Sequence, residues 1–149
     1  MTYQNITTLK LDSLLDFLSK RVDSEGTLIV CQNDSVLNRF KAKGVDIDSV
    51  IIEGPFPKAF TIYIRNAEGR PERIICHEFV HLLQMLRGDL SIDKTKSEFV
   101  WKGVNYSNSF PYTQRPWEKE AFARQNFWYN EYTKSTRNQR KCIFKLNKK

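Results

Sequence analysis

The sequence predicts an α+β domain in which a small sheet packs on helices. Three observations carry that expectation. Strand-like alternation and helix-like periodicity succeed one another along the chain, with the strands chiefly ahead of one strongly apolar central helix. The chain has 149 residues, 40% hydrophobic and 13% aromatic, enough to bury one core without staples. No apolar run approaches the roughly 20 residues needed to cross a bilayer.

Asp12 or Ser13 can cap a first helix through about residue 22, with Leu14, Leu15, Leu18 and Val22 as its apolar stripe. The Ser24-Glu25-Gly26 turn leads to a buried strand, Thr27-Leu28-Ile29-Val30-Cys31. Asn33 or Asp34 caps a second helix carrying Val36, Leu37 and Phe40, which Gly44 stops. Val50-Ile51-Ile52 is a strand ended by Gly54, Pro55 and Pro57. Phe60-Thr61-Ile62-Tyr63-Ile64 alternates as a strand with one exposed face should, and residues 66–71 turn. The strongest helix follows over residues 71–87, with Pro71 near its first position and Gly88 past its end. After a polar stretch, residues 99–104 read as a strand or hairpin arm, and Pro116 opens a last helix to about Tyr132.

The formal charge of +7 is concentrated at one end. Lys134, Arg137, Arg140, Lys141, Lys145, Lys148 and Lys149 follow Tyr132 with no acidic residue among them, and the other Lys and Arg match the 17 Asp and Glu. Residues 1–132 are therefore expected to form one neutral domain and residues 133–149 a basic tail. Such a tail suits an acidic partner surface or, more weakly, nucleic acid, since no stacking or groove-reading motif accompanies it. Its Cys142-Ile143-Phe144 patch calls for a covering neighbour. Cys31, Cys76 and Cys142 are too few and too widely spaced for a disulfide framework or a four-cysteine zinc site. Residues 1–20 do not read as a secretory signal, and no membrane partner is expected.

His77-Glu78-Phe79-Val80-His81 carries the chemistry. Residues four apart on a helix share a face, so the two imidazoles can bind one zinc ion. The carboxylate next to the first histidine can reach a metal-bound water, as a general base must. These are the only two histidines in the chain. A catalytic zinc needs three protein ligands and an open position, so the third is expected to be a carboxylate. Pro116-Trp117-Glu118-Lys119-Glu120-Ala121-Phe122-Ala123 is its obvious source. Glu118 in the first turn suits a capping role. Glu120, followed by small Ala121 and Ala123 that allow close helix approach, is the preferred ligand, with Glu118 the alternative.

These residues resemble the gluzincin group of zinc metallopeptidases. The stretch from about residue 61 to 122 is also similar to small phage and bacterial proteins that pair HExxHxxQ with a later Pro-Trp-Glu-x-Glu-Ala. The resemblance implies a minimal zincin-like metallopeptidase fold with the HExxH helix at its centre. It implies a strand lining a substrate cleft, for which residues 61–64 are well placed, where an extended peptide adds by main-chain hydrogen bonds. Some gluzincins carry an Asp four residues after the ligand Glu, and this chain has Arg124 there instead. They also stabilise the oxyanion with a Tyr or His, which makes Tyr112 or Tyr106 the candidate, Tyr112 first, with Arg115 next.

The leading expectation is a zinc-dependent peptidase, cytoplasmic in a bacterial host or virion-associated. Its rival is a structural component of a phage virion or tail assembly that retains the fold and docks its basic tail on other phage structural proteins.

Overall fold

A computed structural model describes residues 1–42, 47–54, 56–65 and 69–146. The expected Gly44 stop, Pro55, residues 66–68 of the expected turn, and Lys148 and Lys149 lie outside the described residues, as do the side chains of Phe144 and Lys145. The element order is β1 (Thr2–Ile6), α1 (Asp12–Ser19), β2 (Thr27–Gln32), α2 (Asp34–Ala42), β3 (Ser49–Glu53), β4 (Ala59–Ile64), α3 (Pro71–Leu86), β5 (Leu90–Asp93), β6 (Glu98–Trp101), β7 (Val104–Tyr106) and α4 (Pro116–Leu146). A 3₁₀ turn at Tyr112–Gln114 precedes α4.

The fold is α+β. A four-stranded mixed sheet has the order β1-β2-β4-β3, and a separate three-stranded antiparallel sheet runs β5-β6-β7. In the larger sheet β1, β2 and β4 are parallel, while β3 returns antiparallel to β4 with Ser49 opposite Ile64. β4 is therefore an interior strand, paired on both sides. Its Ala59, Phe60, Thr61, Ile62 and Ile64 are all buried, against the expectation of an exposed face. Residues 61–64 cannot offer a free edge to a peptide; among the described residues that edge belongs to β3.

Leucines of α1 (Leu14, Leu15, Leu18), Leu28 and Val30 of β2, Ile62 and Ile64 of β4, and Ile75, Phe79 and Leu82 of α3 form the main core. A second cluster of Leu90, Trp101 and Trp117 ties the small sheet to the first turn of α4. Trp128 of α4 meets Phe79 edge to face at 5.1 Å, and Tyr132 meets Phe17 of α1 at 5.7 Å. α4 thus spans both clusters, and its rotation about its own axis is fixed from two sides. That fixes the direction in which its charged residues point.

Asn33 caps α2 as expected, its Oδ1 accepting from Val36 N–H at 3.2 Å. α1 is shorter than expected, ending at Ser19, with Leu11 rather than Asp12 or Ser13 at its N-cap. α3 starts at Pro71 and closes with paired bonds from Gly88 N–H to Met85 O and from Asp89 N–H to Gln84 O, Gly88 taking φ +75°. α4 overruns the expected stop at Tyr132, because no Gly or Pro follows and the basic residues suit a helix C-terminal half. Lys134, Arg137, Arg140 and Lys141 are exposed along it. No described helix is long and apolar enough to cross a membrane.

Cys31, Cys76 and Cys142 are all free. Burial, then the nearby Glu72 charge, pushes the Cys76 thiol up to about 12, so it is a packing residue and not a nucleophile.

Gly26 shows how tightly the sheet's lower end is drawn. Its φ is +135°, its carbonyl accepts from Thr2 N–H at 2.9 Å, and an added Cβ would overlap the Lys58 carbonyl oxygen. Gly26→Ala is expected to cost about 1–3 kcal/mol, read as a lower urea midpoint with an unchanged slope.

Candidate metal centre

The apolar face of α3 sinks His77, Glu78 and His81 into the interior, and all three are buried. Trp117, locked among the aromatics of the small sheet, places the next residue of α4 opposite them. That residue is Glu118. His77 Nε2 lies 3.2 Å and His81 Nε2 3.3 Å from Glu118 Oε2, and the two Nε2 atoms are 3.2 Å apart. The three ligand atoms all lie within 4.8 Å of one another.

The outer ring nitrogens decide what this cluster presents. His77 Nδ1 faces Gln125 Oε1 at 3.0 Å and His81 Nδ1 faces Gln84 Oε1 at 2.8 Å. Protons on both Nδ1 atoms leave both Nε2 lone pairs pointing at each other and at a carboxylate. Three electron-pair donors so placed suit a cation, a proton or a metal ion, between them. Two imidazoles and one carboxylate are also a ligand set for a catalytic metal with an open position. The buried group of His77, His81 and Glu118 can hold a metal ion.

The local charges agree. Burial alone would raise the Glu118 carboxyl, but hydrogen bonds to His77 and His81 outweigh it and hold the group at about 2. Burial alone would lower His81, but the bond to Glu118 and the charges of Glu78 and Glu118 lift it to about 9. Without metal, the site holds a proton where a metal would sit.

Glu78 stands apart from this triad. Its Oε1 accepts a 2.5 Å hydrogen bond from Ser49 Oγ, at the first residue of β3. The Tyr112 hydroxyl reaches the Glu118 carboxylate. Burial first, and then the Glu118 and Glu78 charges, push that phenol well above its ordinary value, so it stays a donor. Phe122, 51% exposed, lays its ring 4.6 Å from that of His77.

Glu120, the preferred third ligand in the sequence, does not join the histidines. It accepts from Gln84 Nε2 at 2.9 Å and pairs with Arg87 at 3.2 Å. Two residues along a helix turn a side chain to nearly the opposite face, so Glu118 and Glu120 cannot both point at α3 in the same way. Arg124 lies 3.7 Å from Glu120 and contributes nothing to the histidines. Their outer partners are Gln84 and Gln125. Tyr106 packs against Phe110 and Trp117, away from the triad. Ser49 and Gln125 escape the sequence reading altogether. Gln125 had a signal, since it lies two turns past Glu118 on one face; Ser49 had none.

Arg115 supports the loop that carries Tyr112. Its guanidinium donates to the carbonyls of Phe110 and Asn108, both at 3.1 Å, and lies over the rings of Phe99, Tyr112 and Trp117. Arg115→Ala is expected to lose about 1–3 kcal/mol of stability, with faster hydrogen exchange at residues 108–114. No protein-family model, no curated protein and no solved structure matches this chain.

Proposed function

We propose that the protein is a zinc-dependent metallopeptidase of gluzincin type on a minimal zincin-like fold. The observation that carries the reading is the buried His77, His81 and Glu118 cluster with Glu78 beside it but outside the ligand set. A zinc ion there supplies Lewis acidity, polarising a carbonyl and acidifying water. Glu78 takes the proton of the attacking water and passes it to the leaving amine. The Tyr112 hydroxyl, held in its protonated form, donates to the developing oxyanion. The substrate is an extended peptide that adds to the free edge of β3, because the same strand carries Ser49 to Glu78 and so runs past the base.

The test is hydrolysis of a mixed-sequence fluorogenic peptide library by untagged protein loaded with one equivalent of zinc. Turnover that stops on chelation and returns with zinc supports the proposal. Zinc-loaded protein that binds metal yet leaves every peptide intact overturns the enzymatic half of it.

A second reading has one observation in its favour. The C-terminal part of α4 extends as an exposed basic helix, with Ile143 57% exposed. A component of a larger assembly, such as a phage virion, would cover that surface with an acidic partner. Removing residues 133–149 would then abolish assembly and leave metal binding intact, whereas a free peptidase would keep its activity.

A further inference from the structure

Gln84 is 0% exposed in the interior of α3, and every polar atom of its side chain is used. Its Nε2 donates to Trp117 O at 3.0 Å and to Glu120 Oε2 at 2.9 Å, while its Oε1 faces His81 Nδ1 at 2.8 Å. Both partners of the Nε2 group are pure acceptors. One is a backbone carbonyl, and the other is a carboxylate paired with Arg87 at 3.2 Å. Turning the amide over would set its oxygen against two oxygens and its NH2 against the imidazole. The amide therefore has one allowed orientation. That orientation needs a proton on His81 Nδ1, so that in the neutral ring the Nε2 lone pair faces His77 and Glu118.

We propose that Gln84 and Glu120 are positioning residues for the metal, a clamp anchored by Arg87 that locks His81 in its ligating orientation and tautomer. The inference rests on the metal-binding reading of the site and divides labour between the two glutamates of α4. Glu118 faces the ion, and Glu120 holds the amide that holds the imidazole. Outer partners of metal-ligating histidines commonly act this way, and their loss costs about 10–100-fold in affinity. Here the partner is a neutral amide whose direction is imposed from another helix.

The test reads His81 directly, since the chain has only two histidines and a His77 variant assigns their signals. Protein labelled with 15N-histidine is compared as the parent, Gln84→Leu and Glu120→Ala, metal-free and with zinc. The parent is expected to show a slowly exchanging Nδ1 proton on His81 in both states. Gln84→Leu should lose it while His77 keeps its own, with zinc bound about 10–100-fold more weakly. Glu120→Ala, at a more exposed site, should keep the parent's unfolding midpoint and bind zinc about tenfold more weakly. If Gln84→Leu does not fold, Glu120→Ala decides: unchanged zinc affinity overturns the proposal. A loss in Glu120→Ala as large as in Glu118→Ala also overturns it, because Glu120 would then be a ligand. A parent that takes up no metal defeats the metal reading, but metal-free protein at a pH where His81 is neutral still reports on the clamp: a single ring proton on Nδ1 supports the orientation and one on Nε2 overturns it.

Discussion

Glu118→Ala is expected to strip the protein of its metal while the fold survives. Elemental analysis of untagged protein purified without chelator should find one zinc in the parent and none in the variant. Competition with a chromophoric chelator should show affinity lower by more than about 100-fold, beyond what an outer partner contributes. The size of the effect follows from what the carboxylate does. Glu118 brings the only negative charge among the three ligand atoms, and its Oε2 lies within 3.3 Å of both imidazole nitrogens. Two neutral imidazoles alone leave a divalent ion buried without charge compensation. The backbone should tolerate the change, because Pro116 and Trp117 still start the helix and Ala121 still lies buried. Stoichiometric zinc in Glu118→Ala would remove that residue from the ligand set.

The same residue shows where the sequence was legible and where it was not. α3 could be read nearly to the residue, because Pro71, the apolar stripe and Gly88 are local signals, and the two histidines are placed by helix geometry alone. Choosing between Glu118 and Glu120 needed the rotation of α4 about its axis. Trp117, Ala121 and Trp128 recur at helical spacing and mark the buried face, but Glu118 and Glu120 flank it at about equal angles on opposite sides, so the spacing alone favours neither. The small residues after Glu120 pointed to the wrong one. Sheet order was beyond reach for a different reason. Strand periodicity says which faces are buried but not which strands are neighbours, so nothing in it checked the edge that the resemblance implied for β4, where β3 lies outside it. β1 and β5 are short, polar and paired with partners far away or across a turn, and nothing local distinguishes them from loop. Ser49 and Glu78 are brought together only by that unpredicted sheet order.

Glu78→Gln is expected to keep the metal and the fold and to lose peptide hydrolysis by about 10²–10⁴-fold. The substitution keeps the side chain's size and leaves its Oε1 able to accept from Ser49 Oγ, so β3 should stay in place against α3. An amide, however, cannot take up a proton from water at neutral pH. The two histidines and Glu118 are untouched, so zinc content and chelator competition should match the parent. Ser49→Ala is the graded companion: it removes one hydrogen bond to the carboxylate but leaves the base, so its loss in kcat should be smaller. Three outcomes are distinct. Zinc lost from Glu78→Gln as fully as from His81→Ala would make Glu78 a ligand. Hydrolysis surviving in Glu78→Gln would place the base elsewhere. Loss of hydrolysis with zinc retained separates the carboxylate that moves the proton from the carboxylate that holds the ion, as their positions on opposite helices suggest.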